Sequence, residues 1–424
     1  MSPTPSRFVP VFLLFTLCSV PLASAQEKPR PSRITVDQDN ILAVNGRKVF
    51  PIGFTFAPLP GAKSPRGVEG LRELRDAGAL MLRSGPSGNG RWDDAYLERE
   101  REWMDAAARN EMFAMPWLKE FAAIPDRSGP KAKRLRQIVS LFKDHPGMGI
   151  WKGEDEPEWG KKPIPPLRTA YEIVHELDPN HPVWIVQAPR GTVDTLRPYN
   201  ETYDIGGIDI YPISYPPGVH SIDPNKEISM VGDFAQRIGK TTEGKKPFWM
   251  TLQIAFSGTV KPGKTLRFPT YPEQRFMAYQ SIINGARGLV YFGGQLPQTL
   301  NERDTALGWN WTYWDGVLRR VVEEVGDHSR IAPALTVPDS KLPVRSKHTS
   351  AGIEFVVRES GKEVYLLACK REGPTVEAEF TGLPVELGAG SVVFEEPRKI
   401  EVKNGAFKDW FAPFDVHVYR FTRP

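Results

Sequence analysis

The stretch "GIWKGEDEPEW", residues 149–159, turns within a few positions from apolar to acidic. Ile150 and Trp151 have the apolar character of a buried strand. The carboxylates that follow are Glu154, Asp155, Glu156 and Glu158. Burying an unpaired carboxylate costs several kcal/mol, so the pattern predicts either a surface turn or a strand end that delivers an acid to a ligand. The flanking sequence decides between the two.

Strand-like runs alternate with helical patterns on both sides of this stretch. Eight such runs follow one another, beginning with "KVFPIGF" (48–54) and ending with "RGLVYFGG" (287–294). Several are apolar throughout, as expected for strands covered on both faces. Eight β/α units over roughly 290 residues predict an α/β fold of the (β/α)8 TIM-barrel type for residues 36–332. A doubly wound sheet is the alternative, but no Gly-rich phosphate-binding fingerprint follows the first strand.

The last part of the chain has a different pattern. From residue 335 to 424, short alternating runs such as "GIEFVVRES" and "EVYLLACK" are separated by turn signals, and helical periodicity is absent. This pattern predicts a C-terminal antiparallel β-sandwich that serves as an accessory domain. Cys369 lies in one of these runs and is expected to be a small buried apolar residue.

The N-terminus has the features of an export signal. Arg7 is followed by the apolar run "FVPVFLLFTLCSVPL" (8–22) and by the small residues "ASA" (23–25). This order predicts a signal peptide over residues 1–25 and a mature protein that is secreted or periplasmic. No later run approaches the ~20 apolar residues of a membrane span, so stable membrane insertion is not expected.

Composition narrows the function classes. The net charge is +4, and acidic and basic residues are mixed along the chain. This distribution lacks the basic stripe of a nucleic-acid-binding protein. Seven scattered His and no CxxC pair argue against a zinc site, and neither a metal nor a cofactor is predicted. Eleven Trp are compatible with sugar stacking, although Trp also fills protein cores.

In a barrel of this type the reacting groups lie at the carboxyl ends of the strands. The polar and aromatic residues predicted there are Arg83, Trp117, Glu120, Asp155, Glu156, Gln187, Asp209, Tyr211, Gln253 and Tyr291. Asp209 and Tyr211 are two positions apart and therefore share one face of strand six.

Together these features resemble the clan A (β/α)8 glycoside hydrolases over about residues 40–330. The resemblance rests on "LAVNGRKVFPIGF" (42–54) entering the barrel, on Arg83 ending strand two, and on the acidic residue and Glu-Pro that end strand four. It implies that Glu156 is the acid/base, with Asp155 where the clan usually has Asn. The clan's nucleophile is a Glu ending strand seven, whereas this chain has Gln253, which cannot form a glycosyl ester.

Three alternatives for the missing carboxylate remain open. In the first alternative, which is favoured, Asp209 supplies the second carboxylate, either as the nucleophile or as the base that activates water. A loop carboxylate such as Glu120 or Glu154 supplies it at the longer separation of an inverting enzyme. In the third alternative hydrolysis is lost and the groove only binds sugar.

The predicted function is therefore a secreted glycoside hydrolase that acts on an oligo- or polysaccharide, with Glu156 as proton donor and Asp209 as second catalytic residue. A catalytically silent glycan-binding barrel and a structural cell-surface protein are the alternatives. The loop "GWNWTYWD" (308–315) is expected to provide a sugar-stacking platform. The predicted substrate-binding residues are Arg83, Trp117, Asp155, Gln187, Tyr211, Gln253, Tyr291, Trp309 and Trp311.

Overall fold

The computed structural model describes Met1 and residues 30–254, 265–293 and 301–424. The predicted signal peptide, apart from Met1, lies outside the described residues. Residues Pro31–Pro424 form one compact unit. No helix within the described ranges is both long and apolar enough to cross a bilayer.

The first three quarters of this unit alternate parallel strands with helices. The strands are β1 (Ile52–Phe54), β2 (Met81–Ser84), β3 (Phe113–Pro116), β4 (Trp151–Asp155), β5 (Val183–Val186), β6 (Gly206–Ile210), β7 (Phe248–Gln253) and β8 (Leu289–Phe292). The helices are α1 (Gly70–Asp76), α2 (Asp94–Arg109), α3 (Pro130–Phe142), α4 (Ile164–Leu177), α5 (Val193–Leu196), α6 (Met230–Thr242), α7 (Tyr271–Ile283), α8 (Glu302–Leu307), α9 (Trp311–Tyr313), α10 (Arg319–Val325) and α11 (Ala332–Leu335), with a π-helical turn at Trp314–Leu318. The α/β class predicted from the sequence is thus confirmed.

Neighbouring strands in this series are hydrogen-bonded in parallel. Six of them form one sheet in the order β3-β2-β1-β8-β7-β6, and β4 pairs with β5. Single parallel bridges join the two groups at both ends: Ala114 with Met148 and Trp117 with Lys152 on the β3 side, and Trp184 with Ile205 and Gln187 with Ile208 on the β5 side. The carboxyl ends of the paired strands therefore lie along one edge.

Side chains of these strands alternate between the helices and the opposite, inner face. Inner positions such as Met81, Met115, Trp184 and Trp249 form one apolar cluster together with residues of a small antiparallel sheet. That sheet consists of the strands Ile34–Val36, Leu42–Val44 and Arg47–Val49. Gly207 is an inner position where a β-carbon would lie 2.6 Å from Trp184 Nε1, so the large Trp side chain requires glycine there.

The C-terminal part is built from two antiparallel sheets. One contains Arg345–Ser346, Val376–Thr381 and Phe407–Phe411, and the other contains Ile353–Ser360, Glu363–Lys370, Val416–Thr422, Ala389–Val392 and Lys399–Glu401. Residues of both sheets share one apolar cluster. The five-stranded sheet contacts helix α7, whose Arg275 donates to the carbonyl of Val416 at 2.7 Å and whose Gln280 donates to Glu354 at 2.9 Å.

Candidate active site

The opening stretch "GIWKGEDEPEW" forms strand β4 and the turn after it. The strand ends at Asp155, and the next residue, Glu156, donates its backbone N–H to the carbonyl of Val186 on β5 at 2.7 Å. Glu156 has φ = +47°, a conformation that costs energy for a residue with a β-carbon. The side chain of Glu156 is half-buried. Glu156 therefore lies at the carboxyl edge of the strands, as the sequence predicted.

Two further polar side chains meet Glu156. Oxygen atoms of Glu156 and Asp209 and one ring nitrogen of His220 all lie within 4.8 Å of one another. Asp209 belongs to β6, whereas His220 belongs to the loop after β6. Asp209 is 6% exposed, and its Oδ1 atom is buried without a hydrogen-bond partner. The structure thus brings together both residues that were predicted to be catalytic.

Both carboxyl groups have raised pKa values. Burial raises the pKa of Asp209 well above its usual range, and the neighbouring Glu156 and Asp155 add to this effect. Burial and the charge of Asp155 likewise raise the pKa of Glu156. The Tyr211 hydroxyl hydrogen-bonds Asp209 and opposes the rise in the pKa of Asp209. A hydrogen bond with Asp209 in turn opposes the rise in the pKa of Glu156, so the two carboxyl groups titrate as a pair rather than singly.

His220 lies beside this pair with its ring in the neutral form. Burial, reinforced by Arg190, lowers the pKa of His220 to about 3. The backbone N–H of Tyr211 donates to His220 Nδ1 at 3.1 Å, which leaves the proton of the neutral ring on Nε2. Two carboxylates and a His also occur at metal sites, but a metal-bound His normally donates through its second nitrogen. Since Nδ1 accepts here, the cluster fits a proton-sharing carboxylate pair better than a metal site.

Cations and aromatic rings border the carboxylates on one side. Lys152 of β4 is 3% exposed and pairs with Asp155 Oδ1 at 2.7 Å. Its Nζ atom lies 5.3 Å from the centre of the Trp117 ring, and the guanidinium carbon of Arg83 lies 5.2 Å from the same ring. Asp155 precedes Glu156 in the chain, and Lys152 links it to the group formed by Trp117 and Arg83.

An aromatic row leads away from Asp209 along the same edge. His220 stacks on Tyr211 with ring centres 4.3 Å apart. Tyr211 stacks on Phe292 at 5.3 Å, and Phe292 meets Phe56 edge-on at 5.3 Å. Beyond Phe56 a pocket of about 450 Å³ opens at the ends of β1 and β2. The row connects the carboxylate pair with this pocket.

Three of the predicted substrate-binding residues have structural partners instead. Gln253 is fully buried: its side-chain oxygen accepts from the N–H of Ile213 at 2.8 Å, and its side-chain nitrogen donates to the carbonyls of Ile213 (2.9 Å) and Arg267 (3.3 Å). Gln187 is buried and accepts from the N–H of Glu158 at 3.2 Å. Tyr211 is buried between its own partners. For Gln253 and Gln187 the prediction of direct substrate contact is wrong, because these side chains already hold the loops after β4 and β6. The Tyr211 hydroxyl hydrogen-bonds Asp209, and its contact with substrate stays a prediction.

Replacing Gln253 by Glu is expected to destabilise the protein rather than to restore a nucleophile. The carboxylate would face two carbonyl oxygens that lose their donor. Leaving buried acceptors unpaired costs about 1 to 3 kcal/mol each, so we expect the free energy of unfolding to fall by about 2 to 4 kcal/mol. Urea unfolding of the wild type and of Gln253→Glu measures this loss. Equal stability of the two proteins would contradict the assigned role.

The aromatic residues of β8 and the following loop also differ from the prediction. Tyr291 is 0% exposed and points toward the helices, where its ring packs 5.8 Å from Phe54. Trp311 is 0% exposed, so it cannot stack on a sugar. Trp309 lines the pocket beyond Phe56 but is only 1% exposed, and its Nε1 donates to the carbonyl of Phe56 at 2.7 Å. Neither Trp is a platform, because α9 and the π-helical turn after it turn the rings into the core.

Trp311→Ala is therefore expected to act on stability. Its ring packs edge-on against Trp309 at 4.8 Å, and truncating a buried Trp leaves a cavity. Such changes cost about 3 to 5 kcal/mol. Thermal or urea unfolding will report the loss. If Trp311→Ala keeps wild-type stability but loses sugar affinity, Trp311 has a role in sugar binding instead.

The two alternative carboxylates do not join the pair. Glu154 lies in a crevice with Leu167 and Tyr171 of α4, which places it on the helical side of β4. Glu120 follows β3 and accepts from the backbone N–H of Trp92 at 2.9 Å. Asp209 is thus the carboxylate that the fold brings to Glu156.

Several residues of the site were missed from the sequence. The alternation of β4 places Lys152 on the inner face, a signal that was available in "WKGED". Phe292 occupies the inner position of β8, whereas this position was predicted from the sequence for its neighbour Tyr291. No local pattern marks His220, because it lies in an irregular loop and meets Asp209 only after folding.

Comparison with known proteins reveals similarity at the level of structure. No family model matches the sequence, and no curated protein gives a significant match. A solved structure described as a glycoside hydrolase shares 13% identity, covering 92% of this chain and 97% of its own, with a TM-score of 0.61. A glycoside hydrolase family 5 protein from Bacteroides vulgatus shares 12%, covering 92% and 94%, with a TM-score of 0.58.

A GH30 endoxylanase from Clostridium papyrosolvens is similar as well, with 12% identity, coverage of 88% and 96%, and a TM-score of 0.50. At these identities the likeness concerns the fold. The structural neighbours of this chain are TIM-barrel glycoside hydrolases, which confirms the resemblance predicted from the sequence.

Proposed function

We propose that this protein is a glycoside hydrolase that cleaves glycosidic bonds by general acid catalysis, with Glu156 as the proton donor and Asp209 as the nucleophile. The single observation that carries the proposal is the carboxyl pair at the strand ends, with oxygens within 4.8 Å of each other and both pKa values raised. Its setting supports the same function, because the fold resembles that of glycoside hydrolases.

The separation of the pair favours retention of configuration. Retaining glycosidases hold their carboxyl groups about 5 to 5.5 Å apart, whereas inverting enzymes need about 6.5 to 9.5 Å to fit a water molecule. One oxygen of Glu156 and one of Asp209 lie within 4.8 Å of each other, which is closer to the first arrangement than to the second. Asp209 is largely buried, with 6% of its surface exposed.

The reaction then proceeds in two steps. Glu156 gives its proton to the glycosidic oxygen as the bond to the anomeric carbon breaks, and Asp209 forms an ester with that carbon. Water next attacks the ester, loses a proton to Glu156 and releases the sugar. The Tyr211 hydroxyl hydrogen-bonds Asp209 and stabilises its negative charge. Lys152 compensates the charge of Asp155, which would otherwise oppose the release of the proton from Glu156 in the first step.

The proposal includes the finer features of the fold. We take the eight strands to close into one barrel, which is supported by the single bridges between β3 and β4 and between β5 and β6. The C-terminal sheets form the accessory domain. The N-terminal pattern of residues 1–25 supports export, so the enzyme acts on an oligo- or polysaccharide outside the cytoplasm.

Hydrolysis of a panel of oligosaccharides, followed by ¹H NMR of the anomeric proton, tests the function and the mechanism together. The first product detected is expected to have the configuration of the substrate. An inverted product would remove Asp209 as the nucleophile. A complete lack of hydrolysis across α- and β-linked neutral and acidic glycans would refute the proposed function and leave a sugar-binding barrel.

A further inference from the structure

The pocket at the ends of β1 and β2 is lined by two arginines. Arg83 comes from β2 and Arg99 from α2, and the remaining wall consists of small, hydroxyl and aromatic residues. No Asp or Glu lines this pocket among the residues that the structure describes. The volume of about 450 Å³ falls within the range of about 300 to 1,000 Å³ that is typical of ligand sites.

Arg83 is held in place but keeps donors free. Its guanidinium carbon lies 4.8 Å from the centre of the Phe56 ring and 5.2 Å from that of Trp117. Its Nε donates to the carbonyl of Thr55 at 3.2 Å. Within the described ranges its two terminal nitrogens have no hydrogen-bond or ion-pair partner. The rings fix the plane of the guanidinium and leave these four N–H bonds for a ligand.

Arg99 adds a second cation at the mouth of the pocket. Its side chain is exposed on α2, and no partner for it occurs in the part of the chain that the structure describes. Two carboxyl groups near the pocket, Glu100 and Asp155, affect its electrostatic potential. Glu100 is buried behind the pocket wall, where it accepts from the N–H of Gly85 at 2.8 Å and from the Ser84 hydroxyl, and burial raises its pKa to about 7. Asp155 lies on the catalytic side of Arg83 and attracts it.

The pocket lies at the same edge of the strands as the proposed catalytic pair. Phe56 lies at its wall, and the row of Phe56, Phe292 and Tyr211 leads from there to Asp209. A saccharide bound with one bond at Glu156 can therefore extend a neighbouring unit toward the two arginines. A planar guanidinium with parallel free N–H groups matches the oxygens of a carboxylate or sulfate group.

We propose that this pocket is a subsite for an anionic substituent, so that the substrate is an acidic saccharide bearing a carboxylate or a sulfate group next to the cleaved bond. The inference rests on the proposed function for the identity of the ligand as a sugar. Arg83 binds the anionic group within the pocket, and Arg99 attracts it at the entrance.

Calorimetric binding to the Glu156→Gln variant tests the subsite without turnover. The probes are matched pairs: uronic-acid oligosaccharides with their methyl esters, and sulfated oligosaccharides with their desulfated forms. At least one charged form is expected to bind about tenfold or more tightly than its neutral counterpart, with a preference that weakens as salt rises. Arg99→Gln should lower this preference severalfold, and Arg83→Gln should abolish it. Arg101→Gln is the matched control, since Arg101 lies on the same helix and pairs with Glu98 instead.

Arg99 is exposed, so its variant is expected to fold even if Arg83→Gln does not. Equal binding of every charged form and its neutral counterpart would overturn the inference. So would an unchanged preference in Arg99→Gln. If the wild type hydrolyses only neutral glycans, the inferred subsite is refuted while the proposed function stands. If charged forms bind selectively but no glycan is cleaved, the subsite stands while the proposed function is refuted.

Discussion

Glu156→Gln is expected to lower kcat by about 10² to 10⁴-fold, the usual contribution of a general acid. Gln has nearly the same shape and keeps a hydrogen-bond donor, but it cannot transfer a proton to the leaving oxygen. The raised pKa of Glu156 means that the wild-type acid is available at higher pH than an ordinary carboxyl. Steady-state kinetics on the best substrate of the panel will give the ratio.

Substrates with good leaving groups sharpen this test. An aryl glycoside whose phenol leaves without protonation should be cleaved by Glu156→Gln with a much smaller loss than the natural linkage. Glu154→Gln is the matched control, because Glu154 belongs to the same acidic stretch but faces α4, and it should keep kcat within a few-fold. Full activity of Glu156→Gln on an unactivated linkage would remove Glu156 as the proton donor.

Asp209→Asn is expected to reduce kcat by at least as much, because it removes the proposed nucleophile. The activity of this variant should not be rescued by a good leaving group, since bond formation to the anomeric carbon is lost. This contrast with Glu156→Gln separates the two roles. Equal rescue of both variants would contradict the assignment.

The pH dependence of the free energy of unfolding distinguishes a catalytic role of Asp209 from a structural one. The pKa values of Asp209 and Glu156 are raised in the folded state, so the folded pair keeps a proton that the unfolded carboxyls lose above a pH of about 4. The protonated pair therefore adds to the free energy of unfolding at low pH. This contribution is lost as the pH rises through the raised pKa values of the two carboxyl groups. Asp209→Asn should therefore show a smaller loss of unfolding free energy between pH 5 and pH 8 than the wild type. A large loss at all pH values would indicate a structural role.

The strands were predictable because their patterns are local. Asn45 and Gly46 have φ values of +49° and +84°, the left-handed pair that an Asn-Gly hairpin turn requires, and the strands around them pair across this turn. The alternation of β/α units and the change of pattern near residue 335 depend on the same short-range periodicities. Glu156 was predictable for this reason too, since a strand end is read from the sequence that precedes it.

The contacts between strand ends were less predictable, because they depend on register and on loops. A shift of one residue in β8 exchanges Tyr291 for Phe292 at the inner face, and nothing in "LVYF" selects between them. Gln253 has the character of a sugar-binding residue, but the nearby backbone of Ile213 takes up its hydrogen bonds. His220 reaches the carboxylates through a loop whose path follows from no periodic pattern.

The left-handed backbone of Glu156 has a consequence for the evolution of this chain. At φ = +47° a residue with a β-carbon is disfavoured by about 1 kcal/mol or more relative to glycine. Selection for heat resistance alone would therefore favour glycine at this position, and with it the loss of the acid. Under the proposed function, keeping a glutamate there requires continued selection for turnover. Among distant relatives with this turn, a glycine at this position would mark lineages that have given up catalysis.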